Sequence, residues 1–247
     1  MDTGKNKACR KNEAPPLEVI RSFGFVSSSV GACLYANGNA FYISVPSGSG
    51  FTVFDAESLN VVMQCEEVRE IGAIASCGET TFIAGLHMIH RYERGQLVSD
   101  IKVANETIFS MQIYGNFLIA MSKRKLFAFD ISKCDTPRMA CLEFSKTKLA
   151  TSFCHPKGYQ NKFIVGFEDG SLELWNISSE KLIHEFQSLK AASSVVATAE
   201  SSVEHVVAVG LENGTIVILN VLADEVIFSL KQPSNLSALA FGSSTEP

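Results

Sequence analysis

Apolar residues in this chain come in short bursts. The runs Phe41 to Val45, Thr81 to Ala84, Phe117 to Ala120, Phe163 to Val165 and Val206 to Val209 are β-branched or aromatic, with Gly, Asn and Asp between them. Each has strand length, and almost nothing carries a helical period over a useful distance. The pattern predicts an all-β fold.

The bursts belong to a larger unit. One unit reads Leu149 to Cys154, Lys162 to Phe167, Gly170 to Asn176 and Lys181 to Phe186. The next reads Ser193 to Thr198, His205 to Gly210, Gly214 to Asn220 and Glu225 to Leu230. The same order of strands, repeated, is a tandem repeat. Asp169-Gly170 and Asn213-Gly214 join the second strand to the third. Both dipeptides favour the two-residue hairpin turn whose central residues take positive φ.

The third strand ends in an aromatic or apolar residue followed by Asp or Asn: Phe54-Asp55, Phe129-Asp130, Trp175-Asn176 and Leu219-Asn220. These are variants of the Trp-Asp pair of WD repeats. A unit from Ile71 to Ile101 has Arg91-Tyr92 there and lacks the acid. The marks recur at steps of 37 to 46 residues, against roughly 40–45 for WD repeats. The longer steps hold the insertions Cys134 to Arg138 and His155 to Asn161.

A blade with two apolar faces needs a neighbour on each side. The predicted architecture is therefore a partial WD-repeat β-propeller of about five four-stranded blades plus flanking strands, over 30–66, 67–103, 104–146, 147–188 and 189–231. Asp55, Asp130, Trp175, Asn176 and Asn220 are its structural signature positions. Leu17 to Val26 reads as a lone strand, and Leu236 to Phe241 as the first strand of a further unit. The expected organisation is a disordered polar tail over 1–16 and a propeller over 17–247, incomplete at its C-terminal end. A chain stopping inside a unit reads as a truncated chain or a piece of a longer protein, and so as an open or strained partial propeller unless the five units close on themselves.

Composition changes the picture little. Hydrophobic residues make up 46% and charged residues 19%, as in ordinary folded proteins. No apolar stretch approaches the roughly 18 residues of a membrane helix. Met1 to Pro16 carries Lys5, Lys7, Arg10 and Lys11, and no apolar region follows, so it is not a secretory signal. The seven cysteines include no C-x-x-C pair, so they read mostly as small core residues in a reducing compartment. Glycosylation-like triplets at Asn105, Asn176, Asn213 and Asn235 read as turn chemistry. A net charge of −5 argues against a surface that holds nucleic acid all over.

Catalytic readings find no support. There is no G-x-S-x-G elbow, P-loop or H-E-x-x-H. Ser47 to Gly50 is Gly-rich, but strands flank it and a hairpin turn is the better reading. His87 and His90, read as strand neighbours, point to opposite faces. Cys154 and His155 fail the same test as a nucleophilic pair, and His184 and His205 read as structural hydrogen-bonding groups. Lys123-Arg124-Lys125 in a turn is a candidate RNA-phosphate contact, with a solvated hairpin tip as the plainer reading. Partner binding is expected through Ser132 to Met139 and His155 to Gln160. No catalytic, cofactor, metal or small-molecule site is predicted.

His155-Pro156-Lys157-Gly158-Tyr159, followed by Asn161 to Asn176 with Gly170-Ser171-Leu172-Glu173-Leu174-Trp175-Asn176, resembles a segment of the U3 small nucleolar RNA-associated protein 21 family. Val206 to Asn220 is similar to that family's next blade, Phe41 to Asp55 to its opening blade, and Leu17 to Val26 to the strand before it. The Gly48-Ser49-Gly50 turn departs from relatives in lacking a Lys. The resemblance implies a non-catalytic WD-repeat scaffold of the small-subunit processome, acting in 18S ribosomal RNA processing and ribosome biogenesis. Its implied partners are other WD-repeat subunits of the UTP-B subcomplex, the U3 small nucleolar ribonucleoprotein and pre-ribosomal RNA, with direct RNA contact left open. The implied location is the nucleus and nucleolus. The alternative is a WD-repeat adaptor for a ubiquitin ligase or a signalling assembly.

Overall fold

The structure is a computed structural model and describes residues 30–47, 50–66, 71–103, 105–189 and 193–242. The expected tail over 1–16 and the strand expected at Leu17 to Val26 lie outside these residues.

Among the described residues, all regular structure is strand, arranged as five four-stranded antiparallel meanders. Blade A holds β1 (Cys33–Asn37), β2 (Ala40–Ser47), β3 (Gly50–Asp55) and β4 (Val61–Cys65). Blade B holds β5 (Ala73–Cys77), β6 (Thr80–Ala84), β7 (Met88–Glu93) and β8 (Gln96–Lys102). Blade C holds β9 (Ile108–Tyr114), β10 (Phe117–Ser122), β11 (Lys125–Asp130) and β12 (Arg138–Glu143). Blade D holds β13 (Ala150–Cys154), β14 (Lys162–Phe167), β15 (Leu172–Asn176) and β16 (Lys181–Glu185). Blade E holds β17 (Val195–Glu200), β18 (Val206–Leu211), β19 (Thr215–Asn220) and β20 (Glu225–Lys231).

The core is not one mass. It is four clusters, one between each pair of successive blades. Alternation along each strand makes this possible. On β14, Phe163 and Val165 face blade C, while Ile164 faces blade E. The middle strands are thus buried on both sides and read as continuous apolar runs. The first strand of every blade is innermost: β1, β5, β9, β13 and β17 line one central cavity of about 860 Å³, together with Leu239 to Phe241.

The third and fourth strands slip register once in every blade, at Val53/Phe54, Arg91/Tyr92, Ala128/Phe129, Leu174/Trp175 and Ile218/Leu219. The slip is a bulge that leaves one extra residue on the outer strand. It stands immediately before the signature pair. It also corrects the reading of blade B, where the equivalent pair is Tyr92-Glu93 and not Arg91-Tyr92. An acid is present, but Glu93 accepts from Arg91 Nη2 at 2.7 Å, and the turn is carried by Arg94 and Gly95, both at positive φ.

The hairpins at Asp169-Gly170 and Asn213-Gly214 also differ from the expected two-residue turn. Only Gly170 and Gly214 take positive φ, at 81° and 85°. The N–H of Gly170 reaches the Phe167 carbonyl, and that of Gly214 reaches Leu211. These are three-residue loops, a type I turn closed by a left-handed glycine. Asp169 and Asn213 accept from the amides two residues on, which supports the turn without needing positive φ themselves.

Packing between blades is tight where the second strand ends. A Cβ on Gly166 would lie 2.4 Å from Cγ1 of Val195, the first residue of β17. A Cβ on Gly210 would lie 2.0 Å from Leu236 and 2.7 Å from Leu239. Leu236 to Phe241 therefore sits where the inner strand of a following blade would begin. It forms no strand, contrary to the sequence reading, because no sheet of its own stands beside it among the described residues.

Replacing Gly166 by Ala drives a methyl group into the D–E seam. The expected loss is about 1–3 kcal/mol in urea unfolding. Gly31→Ala, with nothing within 4 Å of its Cβ, is the matched control and is expected to change stability by less than about 0.5 kcal/mol.

Candidate functional site

The signature acids and amides work as turn caps. Asp55 Oδ1 accepts from the N–H of Ser58 at 2.7 Å, from Ser58 Oγ at 2.7 Å and from Glu57 N–H at 3.2 Å. These bonds hold its carboxyl below the usual range. Asp130 does the same for Ser132, whose hydroxyl and amide both donate to it. Asn176 accepts from Ser178 and Ser179, and Asn220 from Leu222 and Ala223. Each replaces water on amides that a tight turn leaves unpaired.

Trp175 has a second task. Its indole Nε1 donates to Glu173 Oε2 at 2.8 Å, and Glu173 is buried. Lys148 Nζ meets the other Glu173 oxygen at 2.6 Å and Glu185 at 2.9 Å, and lies 5.4 Å from the Phe167 ring centroid. Burial works to lower the Lys148 pKa, but the two carboxylates outweigh it and raise it. A largely buried pair with its remaining oxygen satisfied specifies one arrangement of the strands of blade D.

Two further acids bind blade to blade. Glu180 and Asp224 each stand four residues after the signature Asn, in the left-handed region at φ 53° and 52°. Glu180 Oε1 accepts the Cys141 N–H of β12 at 2.9 Å. Asp224 accepts from the amides of Gln187 and Ser188, from Ser188 Oγ at 2.6 Å, and meets His184 Nε2 at 2.8 Å. Partial burial opposes ionisation of Asp224, but these hydrogen bonds outweigh it and hold the carboxyl at about 2. Sequence reasoning missed both residues. Their common offset from Asn176 and Asn220 was the available signal.

The two insertions expected to recruit partners are both pinned. Arg91 Nη1 donates to the carbonyls of Lys133 and Cys134 and to Thr136 Oγ1, which anchors Ser132 to Met139 onto blade B. In His155 to Gln160, the Lys157 carbonyl accepts the His205 N–H, and Lys157 Nζ donates to the Ser202 carbonyl at 2.7 Å. His155 lies in an aromatic group with Tyr114 and Phe163, at centroid distances of 4.9 and 5.2 Å. Lys162 Nζ sits 4.3 Å over the Tyr159 ring. These loops are ledges built on neighbouring blades.

The basic tip is internally compensated. Lys123 pairs with Glu168 at 2.7 Å and Lys125 with Glu143 at 3.0 Å, while Arg124 donates to the Lys146 carbonyl. Among these three residues only the Arg124 charge lacks a carboxylate partner. The histidines are scattered. His87 lies in a turn and not on a strand, and His90 of β7 is bound to Asp100 at 2.6 Å. His184 serves Asp224, but His205 Nδ1 has no hydrogen-bond partner among the described residues, and its ring packs edge-on against Tyr159. Burial pushes the Cys154 thiol up to about 12, which removes the thiolate a nucleophile needs. Of the six described cysteines only Cys65 and Cys154 are buried; Cys77 and Cys134 are exposed, so the expectation of mostly core cysteines is corrected. Among the described residues no group of three or more metal-ligating side chains converges.

One feature recurs around the rim. The extra residue of each bulge is apolar and exposed: Val62, Val98, Met139, Ile183 and Ile227. It forms a row of apolar positions, one per blade, that no polar pattern announced.

The family model described as WDR36/Utp21 first beta-propeller matches residues 43–247. The chain belongs to this family. It is 30% identical over 234 residues to the U3 small nucleolar RNA-associated protein 21 homolog of Schizosaccharomyces pombe, covering 92% of this chain and 26% of that protein. It is 28% identical over 195 residues to WD repeat-containing protein 36 of Homo sapiens, covering 78% of this chain and 22% of that protein. With U3 small nucleolar RNA-associated protein 21 of Saccharomyces cerevisiae it shares 26% identity over 240 residues, covering 90% of this chain and 24% of that protein. The chain thus spans about a quarter of the length of these relatives. In fold it resembles the crystal structure of the computationally designed Ika8 protein, with a TM-score of 0.60 at 16% identity, over 85% of this chain and 77% of that one.

Two outcomes follow for stability. Lys148→Met leaves the Glu173 carboxylate buried without its cation, and urea unfolding is expected to show a loss of about 3–5 kcal/mol. Adding Glu173→Gln to that variant should recover much of it. Asp224 has a folded value of about 2 against about 3.9 unfolded. Its contribution is present above about pH 4 and is lost as the pH falls toward 2. In Asp224→Asn the fall of the urea midpoint across that window is expected to flatten.

Proposed function

We propose that this chain is a non-catalytic WD-repeat scaffold of the U3-associated ribosomal RNA processing machinery. The observation that carries the reading is the family match across 43–247, together with relatives named for U3 small nucleolar RNA. The reading places the chain in the small-subunit processome, in 18S processing and ribosome biogenesis. Its partners are other WD-repeat subunits of the UTP-B subcomplex, the U3 ribonucleoprotein and pre-ribosomal RNA. Its place is the nucleolus.

The side-chain chemistry supports a scaffold. The buried or tightly held charged groups are spent on structure: Glu180 and Asp224 join blades, and Lys148 with Glu173 ties the strands of blade D together. The exposed features are an apolar rim and two braced loops. These suit contact with proteins more than with phosphate, since Lys123 and Lys125 already have carboxylate partners.

Tagged chain expressed in cells of its own source and purified under mild salt is expected to retain U3 RNA and UTP-B subunits. Recovery of ligase or kinase components without U3 RNA points instead to a different WD adaptor. Lys123→Ala with Lys125→Ala is expected to leave U3 recovery within about twofold, because neither charge is free for phosphate.

A further inference from the structure

The inner strands β9, β13 and β17 end at one mouth of the central channel. Tyr114 is the last residue of β9, His155 follows β13, and Glu200 is the last residue of β17. With Lys157, Ser202 and Phe241 they line a cavity of about 530 Å³, which shares Tyr114 and Glu200 with the channel itself. Blades C, D and E all contribute to it.

Most polar groups at this mouth are engaged. The Tyr114 hydroxyl donates to Gln112 Oε1 and accepts the His155 N–H at 3.3 Å. Lys157 Nζ is held on the Ser202 carbonyl at 2.7 Å. The His155 ring packs on Tyr114 and Phe163, and its nitrogens make no hydrogen bond among the described residues. Glu200 is the exception. Its carboxylate makes no hydrogen bond and no ion pair among the described residues. It is open to solvent on one side, yet burial raises its pKa and outweighs the pull of His155 and Lys157. A carboxylate so placed gains strongly from a cation that brings N–H donors. Two residues further in, on the same face of β17, stands Thr198. Its buried hydroxyl has the Cys154 thiol beside it and no hydrogen-bond partner among the described residues.

We propose that this mouth receives an arginine side chain of a partner protein. The guanidinium pairs with the two Glu200 oxygens, and an inner N–H reaches Thr198 Oγ1. A neutral His155 nitrogen is a further acceptor. Acceptors spread over a carboxylate, a hydroxyl and a ring suit a planar fork of five donors better than the point charge of a lysine. The Tyr114 ring offers its face to the cation and apolar surface to the stem. An anion fits less well, because it meets Glu200 while Lys157 is already held by a carbonyl. The net charge of −5 draws a basic segment toward the chain. The pocket gives the scaffold reading one contact chemistry without depending on it: free peptide tests the pocket, and recovery of U3 RNA tests the reading.

The probe is acetyl-Gly-Arg-Gly-amide, titrated into the isotope-labelled 247-residue chain and followed by NMR. Shifts centred on the amides of His155, Glu200, Ser201 and Ser202 are expected, with a Kd on the order of 1 mM. Acetyl-Gly-Gln-Gly-amide is expected to give none. Glu200→Gln is expected to weaken arginine binding about tenfold or more, and Thr198→Val about threefold, with the rest of the amide spectrum unchanged. Glu204→Gln removes an acid of the same turn that does not line the cavity, and is expected to leave the affinity as it was. Equal binding of the glutamine peptide overturns the proposal, as does arginine binding that survives Glu200→Gln. So does tighter binding of acetyl-Gly-Glu-Gly-amide, which makes Lys157 the anchor, or an absence of shifts at about 10 mM arginine peptide. An unchanged affinity in Thr198→Val overturns the inward pose.

Discussion

A four-stranded sheet with apolar side chains on both faces has no stable existence in water by itself. Everything in this molecule follows from that constraint. Four inter-blade clusters replace a central core, and each is built from residues of two successive sheets. Phe163 and Ile164 are chain neighbours, yet they belong to different clusters and serve different seams. Stability is then a property of interfaces between repeats and only secondarily of the repeats themselves.

Apolar faces alone do not set how far one blade slides along the next. Directional groups do that here. Glu180 and Asp224 reach back from their turns to amides of the preceding blade, Arg91 reaches forward to the Lys133–Thr136 turn, and Lys123 reaches forward to Glu168. Holding Glu180 and Asp224 in the left-handed region is unfavourable for residues with a Cβ. The hydrogen bonds they gain from otherwise unpaired edge amides offset that cost. Glu180 also protects the outer strand β12, because a capped amide offers nothing to a passing chain.

Strand runs, blade order and the Trp175-Asn176 signature were legible because they are local: a burst of β-branched residues, a turn residue and a fixed repeat. What failed was set by geometry across strands. Arg91-Tyr92 looked like the blade B mark because a bulge, invisible in composition, moves the equivalent pair to Tyr92-Glu93. Asp169-Gly170 looked like a two-residue turn, since the dipeptide does not reveal that the loop takes three residues. The site residues Glu180, Asp224 and Lys148 were missed because their partners lie 25 to 40 residues away and are brought close only by the folded sheets and the packing of one on the next. The cysteines were read mostly as core from residue type, which says nothing about a strand end or a loop tip, where the exposed Cys77 and Cys134 stand.

The bonds between neighbouring blades have a kinetic meaning. Arg91 to Thr136, Lys123 to Glu168, Cys141 to Glu180, Lys157 to Ser202 and Ser188 to Asp224 all join residues 36 to 45 apart. No such link needs more than one extra repeat of chain to form. Topology of this kind keeps loop-closure entropy small at every step. A chain emerging from the ribosome can therefore zip in order of synthesis, each sheet finishing the one made just before it. Order is written into the molecule by clasps thrown in both directions across each seam from blade C to blade E, and forward from blade B to blade C.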